Sequence, residues 1–145
     1  MSDLGAAILL AAKAHHGRTR RNGLPYILHP FRVMLRMKTE EEMIVAVLHD
    51  VVEDTSVTLD ELCAAGFSQP VTEAVRLLTK QHGGDYDKYL VAVSGNSLAR
   101  RVKIADLEDN LNLDELPEVG DKDLLRVAKY HRALKMLRKA CGSGW

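Results

Sequence analysis

The chain has 145 residues, of which 46% are hydrophobic and 28% charged. That length suits one domain around one core, and the balance is that of a soluble globule, not of a disordered chain. Twenty basic residues offset twenty acidic ones, so the broad positive field that sequence-independent binding to a nucleic-acid polymer needs is missing, although a local basic cluster still suits one small anion.

The first apolar stretch, Ala6 to Ala12, is too short to cross a bilayer and follows Asp3, where a signal peptide would carry basic residues. No targeting segment and no membrane partner are therefore expected, and the cytoplasm is the expected compartment. Cys63 and Cys141 lie far apart and form no metal-type pair, which fits two reduced, partly buried thiols. Periodicity predicts a first helix over Leu4 to His15, stopped by Gly17. A basic loop follows, Arg18 to Gly23, in which Asn22-Gly23 sits between cations and Pro25 and reads as a loop, not a hairpin. The second helix is expected to open at Pro30, with His29 at or near its N-cap.

Thr39 and Glu42 match a capping box, which predicts a helix running to about Asp54. Thr58 and Glu61 repeat the pattern before a short helix ending near Gly66. Pro70 opens the next, with Val71, Ala74, Val75 and Leu78 on one face. Further helices are expected from Tyr86 to Val93, from a cap at Asn96 to about Leu113, and from a cap at Asp121 to about Ala140, with a frayed tail from Gly142 to Trp145. Strand signals are weak, and no repeat or low-complexity linker appears. The expectation is a single all-α domain over residues 1–145, a compact bundle of about seven or eight helices.

Three segments carry chemistry. In His49-Asp50-Val51-Val52-Glu53-Asp54, residues three and four apart share a helical face, so one imidazole and three carboxylates cluster after the apolar run of Ile44, Val45, Val47 and Leu48. Acids at a helix C-terminus oppose the helix dipole, and their burial is costly unless a cation offsets it. A solvated acidic helix end accounts for this segment equally well. His29 lies between the apolar Tyr26-Ile27-Leu28 and Pro30, where a structural histidine is the commoner explanation. Asp106 follows the apolar Val102 and Ala105 and shares a face with Asn110, where an exposed aspartate is commoner. Jointly, His29, His49, Asp50 and Asp106 offer two imidazoles and two carboxylates to one ion, a set suited to Mn²⁺, Fe²⁺ or Zn²⁺.

The order of these segments, "RRNGLPYILHP", "AVLHDVVEDT" and "VKIAD" with Asn four residues on, resembles the HD-domain superfamily. Within it, the chain is similar to the hydrolase domain of RelA/SpoT-type alarmone enzymes, above all to their short stand-alone members, from about Ala11 to Tyr130. The resemblance implies an HD-domain helical bundle that hydrolyses guanosine tetra- or pentaphosphate, removing pyrophosphate from the ribose 3′ position with one divalent ion, typically Mn²⁺. It implies His29, His49, Asp50 and Asp106 as metal ligands and Glu53 and Asp54 as the pair that positions and activates water. Which of the two is the base is not legible, because neighbouring acids can titrate as a pair. It also implies Arg20 packing on the guanine, Arg21 meeting the phosphates, Asn110 contacting the nucleotide and Tyr130 near the ribose. Lys103 or Arg18 would help to balance phosphate charge.

The chain departs from the family in three places. Leu107 replaces a usual Lys or Arg, Glu108 and Asp109 add negative charge, and Arg21 stands where Lys is common. These leave room for an HD-type phosphatase of another nucleotide, a 5′-monophosphate or NADPH. A catalytically inactive nucleotide-binding module is disfavoured because all four ligands and both acids are present, and a purely structural helical domain ranks last. The expected partner is a small nucleotide. The metal's identity and the assembly state stay open, with a homodimer as one option. His15 is expected to pack, His16, His82 and His131 to lie at the surface, and Tyr86 and Tyr89 to share a core or interface face.

Overall fold

Side chains that accept orphan amides set most of the helix starts. In the computed structural model, which describes residues 2–114 and 116–142, the order is α1 (Leu4–Ala14), α2 (Leu28–Leu35), α3 (Glu40–Leu48), α4 (Val51–Asp54), α5 (Leu59–Ala64), α6 (Gln69–Leu78), α7 (Tyr86–Ser94), α8 (Ser97–Asn110) and α9 (Asp121–Ala140). Eight of these have six residues or more, and α4 is a single four-residue turn. The all-α expectation is met. Of the frayed tail expected from Gly142 to Trp145, residues 143–145 lie outside those described.

Asp3, Thr39, Thr58, Ser68, Asp85 and Asn96 each cap the following helix through the side chain. The Thr39–Glu42 box is complete. Three starts differ from expectation: α6 opens at Gln69 behind its Ser68 cap, one residue before Pro70, and the other two are those of α2 and α9. α2 opens at Leu28, which puts His29 and Pro30 inside its first turn. Proline is tolerated there because no amide of that turn has an intrahelical acceptor. α9 is capped by Gly120, whose amide donates to the Asp123 carboxylate at 2.9 Å, so Asp121 is its first helical residue instead of its cap. α8 also stops at Asn110, short of Leu113.

The helix expected to run from Thr39 to Asp54 is broken at His49–Asp50. The His49 Nδ1–H donates to the Ala46 carbonyl at 2.5 Å, and the Asp50 carboxylate turns toward the imidazoles instead of capping α4. Local side-chain bonding thus displaces the regular ladder, and the break is what separates α4 from α3.

The C-terminal half of α3 is buried on all sides, with Val45, Ala46, Val47 and Leu48 fully inaccessible, and α1, α2, α6 and α8 pack around the helix. α8 in turn packs against α2, α3, α6, α7 and α9, presenting Val102, Ile104, Ala105 and Leu107 to the core. Small residues of α1, Ala7 and Ala11, let it approach α3 closely. The three chemistry-bearing segments therefore meet where α2, the α3–α4 break and α8 converge. Among the described residues no helix is long and apolar enough to cross a membrane.

Candidate metal centre

His29 from α2, His49 and Asp50 from the break, and Asp106 from α8 each offer one donor atom, all within 4.8 Å of one another. His29 Nε2 lies 2.7 Å from Asp106 Oδ1 and 3.8 Å from Asp50 Oδ2, while His49 Nε2 is 3.1 Å from each of these oxygens. Three of the four side chains are buried, and Asp50 is nearly so.

The remaining ring nitrogens test whether a metal fits. Each Nδ1 turns outward, that of His29 to the Asp109 carboxylate at 2.6 Å and that of His49 to the Ala46 carbonyl at 2.5 Å. This fixes each ring with Nε2 toward the cluster, the usual support of metal-bound histidines. The N₂O₂ set, facing one point from three rigid elements, fits a divalent first-row cation.

The electrostatics agree. Burial alone would lower both imidazoles, but Asp106 and Asp109 raise His29, and Asp50 and Asp106 raise His49 well above its ordinary value. Burial alone would raise the carboxyls, but His49 holds Asp50 far down, and Lys103, 2.9 Å from Asp106 Oδ2, holds Asp106 well below the carboxylate range. The cluster wants positive charge, which protons or a cation supply.

Glu53 and Asp54 stand on α4 at the exposed side of this cluster. Desolvation by the surrounding chain, with repulsion from Asp50, raises both carboxyls. Glu53 accepts from the Lys80 amide at 2.6 Å. Asp54 accepts from the Tyr26 hydroxyl at 3.3 Å, and Asp50 accepts from the same hydroxyl. Burial and Asp50 push the Tyr26 phenol far up, so it stays a donor.

Beside the cluster opens a cleft of about 150 Å³. Arg20, Arg21, Asn110 and Tyr130 line it, together with Arg32, Asp109, Asp123 and Arg126. A tight turn presents its two leading arginines: the Gly23 amide donates to the Arg20 carbonyl, Gly23 takes φ +83°, and an isolated bridge joins Thr19 to Pro25. The loop expected at Asn22-Gly23 is therefore a closed turn. Arg20 donates to Asn110 Oδ1 at 2.8 Å, and Asn110 Nδ2 donates to Asp106 Oδ1 at 3.3 Å, linking cleft to cluster. Arg21 pairs with Asp123.

The departures noted in the sequence take a different meaning here. Leu107 is fully buried in the core and does not line the cleft. Glu108 pairs with Arg138 at 2.9 Å and Arg36 at 3.7 Å. Lys103 and Arg18 are engaged with Asp106 and with the Tyr26 ring. His15 is buried against that ring, 4.8 Å between centroids, and burial lowers it to about 4. His16, His82 and His131 are exposed, and the rings of Tyr86 and Tyr89 stack. Cys63 is exposed, not partly buried, and Cys141 is half-buried; both are free.

Tyr26, Arg32 and Asp109 were not singled out as site residues. Arg32 is i+3 from His29 and Asp109 is i+3 from Asp106, so helical spacing carried that signal. Tyr26 reaches the acids by a contact between distant segments, which no local spacing reveals.

This fold and this donor set define an all-helical HD-type domain. No family model matches the chain. Its sequence is 32% identical over 113 residues to the guanosine-3′,5′-bis(diphosphate) 3′-pyrophosphohydrolase of Aquifex aeolicus (strain VF5), covering 69% of this chain and 16% of that protein. It is 32% identical over 123 residues to the bifunctional (p)ppGpp synthase/hydrolase SpoT of Escherichia coli (strain K12), covering 74% of this chain and 17% of the relative. The chain thus spans about a sixth of the length of these curated relatives. A solved structure of a metazoan ortholog of SpoT, described as hydrolysing ppGpp and acting in starvation responses, superposes with a TM-score of 0.68 at 20% identity, covering 96% of this chain and 95% of that one. The chain is accordingly an HD-type helical domain related to the RelA/SpoT-type hydrolases.

Proposed function

We propose that the chain is a 3′-pyrophosphohydrolase of guanosine 3′,5′-bis(diphosphate) that uses one divalent ion, Mn²⁺ by preference, and acts as a single domain on a small nucleotide in the cytoplasm. The observation that carries this reading is the convergence of the His29, His49, Asp50 and Asp106 donors beside a cleft lined by arginines. The named relatives supply the substrate class.

His29, His49, Asp50 and Asp106 would hold the ion, which would supply charge neutralisation at the phosphoryl oxygens and a more acidic water. Glu53 and Asp54 orient the attacking water and take its proton. The water oxygen bonds to the phosphorus attached to the ribose 3′ oxygen, the P–O3′ bond breaks, and that oxygen leaves with a proton, giving GDP and pyrophosphate. Arg20, held at its edge by Asn110 and Asp109 in the lining of the cleft, would stack on guanine through the face of its guanidinium. Arg21 exchanges Asp123 for a phosphate. Tyr130 closes the ribose side of the cleft.

Pyrophosphate release from guanosine tetraphosphate by the purified protein with Mn²⁺ tests the reading. Release by the parent and not by a Glu53→Ala, Asp54→Ala double variant is the expected result. One observation favours a second substrate class: Asp123 occupies Arg21, the residue assigned to the phosphates, which suits a less charged nucleotide. Turnover of a 5′-monophosphate or NADPH with the alarmone untouched would replace the first reading.

A further inference from the structure

Asp109 sits where the resemblance supplies no acid, yet it is one of the most connected side chains of the molecule. It is buried at 5% exposure. Its Oδ2 accepts from His29 Nδ1 at 2.6 Å, from Arg32 at 3.2 Å and from Arg20 at 3.4 Å, and its Oδ1 accepts from Arg32 Nε at 2.8 Å. One carboxylate thus touches a ring of the donor cluster and two guanidiniums of the adjacent cleft.

We infer that Asp109 is a positioning residue that serves both halves of the site, orienting the His29 imidazole for the metal and the Arg20 guanidinium for the nucleotide. The inference rests on the metal-dependent reading above. The His29 ring is buried, so its Nδ1–H needs an acceptor, and among the described contacts that acceptor is Asp109. With that N–H committed to Asp109, Nε2 is the nitrogen left facing His49, Asp50 and Asp106, the one that would give its lone pair to a cation in place of a proton. A bare carboxylate would be costly to bury here and would repel phosphates. The fork of Arg32 grips both of its oxygens, which offsets the charge and fixes the carboxylate plane. Arg20 then finds a fixed partner on the cleft side. The extra acid in this stretch is therefore a support for cation and nucleotide alike, instead of a burden on an anionic substrate.

Mn²⁺ affinity, measured by titration calorimetry on the full chain, reads this role apart from turnover. Removal of an outer partner of a metal-bound histidine weakens binding roughly 10–100-fold. Asp109→Ala is expected to weaken Mn²⁺ within that range, and Asp109→Asn, which keeps an acceptor oxygen, to recover part of the loss. Both are expected to raise KM as well. Arg20→Ala is expected to raise KM alone and leave Mn²⁺ affinity in place. Arg32→Ala changes a side chain 36% exposed and leaves His29 and Arg20 on the Asp109 carboxylate, so it is expected to fold even if Asp109→Ala does not. It is expected to weaken Mn²⁺ a few-fold in the parent and to add nothing in the Asp109→Asn background, since non-additivity marks action through a shared partner. A parent that binds Mn²⁺ and hydrolyses the alarmone, beside Asp109 and Arg32 variants with unchanged Mn²⁺ affinity, overturns this inference alone. A parent that binds no Mn²⁺ overturns the proposed function and the inference together.

Discussion

Tyr26 donates from one hydroxyl to two carboxylates with different proposed duties, the metal ligand Asp50 and the water-activating Asp54. Hydrogen bonds to charged groups contribute about 1.5–3 kcal/mol each. Tyr26→Phe is therefore expected to leave the fold intact and to lower kcat about tenfold, read in steady-state kinetics at saturating Mn²⁺; an unchanged kcat would remove Tyr26 from the site. Glu53 and Asp54 carry the larger effect. Their joint replacement by alanine is expected to cost roughly 10²–10⁴ in kcat, the usual worth of general acid–base catalysis. Mn²⁺ binding should persist in that variant, because neither residue belongs to the converging donor set. At this scale the sequence was informative about types and poor about contacts. His29, His49, Asp50 and Asp106 were legible only as a joint set, His29 and Asp106 having commoner explanations when taken singly, and their proposed role as ligands came from the resemblance. Asp109 was legible only as excess charge, since its value lies in partners 77 to 89 residues away.

Among the elements, α3 shows how a local signal and a tertiary one divide the work. The Thr39–Glu42 box was readable from two residues at a fixed spacing, and the structure keeps it. Thr39→Ala is expected to lower stability by about 1 kcal/mol, the usual worth of such a cap, in urea unfolding. It should leave Mn²⁺ affinity unchanged, because α3 meets the site at its other end. The break after Leu48 was not readable. Periodicity favours one helix through Asp54, and its end comes from the local bond of His49 to the Ala46 carbonyl together with the contacts of His49 and Asp50 to His29 and Asp106. The early start of α2 has a similar origin: proline marks the first turn without fixing which residue of that turn it occupies.

At the level of the whole molecule, the site concentrates titratable groups at the meeting point of three elements, and the stability of the metal-free protein follows from their shifts. The imidazoles of His29 and His49 are raised above 6.5 when folded. Their contribution is complete below that value and is lost as pH rises through the raised folded values. Glu42 is the opposite case. Burial raises it, but Arg101 at 2.9 Å and the Lys38 amide hold it below 4.5, so its contribution is present above that value and lost as pH falls through the lowered one. Thermal unfolding in chelator is expected to show an optimum on the acid side of neutrality. A cation bound at the proposed site would take the place of the imidazole protons, so saturating Mn²⁺ is expected to remove the alkaline decline. At a hundredfold excess over its dissociation constant, the ion adds about 2.7 kcal/mol. No such gain is expected for Asp106→Ala, and an equal gain there would sink the assignment of the ligands.

The amide of Lys80, on the segment between α6 and α7, donates to Glu53. A base that takes up a proton becomes a weaker acceptor, so each visit of Glu53 to its protonated state loosens its hold on that segment. Deuterium uptake at the Lys80 amide becomes a clock for the site: slow while Glu53 is ionised, faster as acid protonates it beyond the intrinsic pH trend of neighbouring amides. In Glu53→Gln the clock should run fast at every pH, giving a report on the proton of one carboxylate without any substrate present.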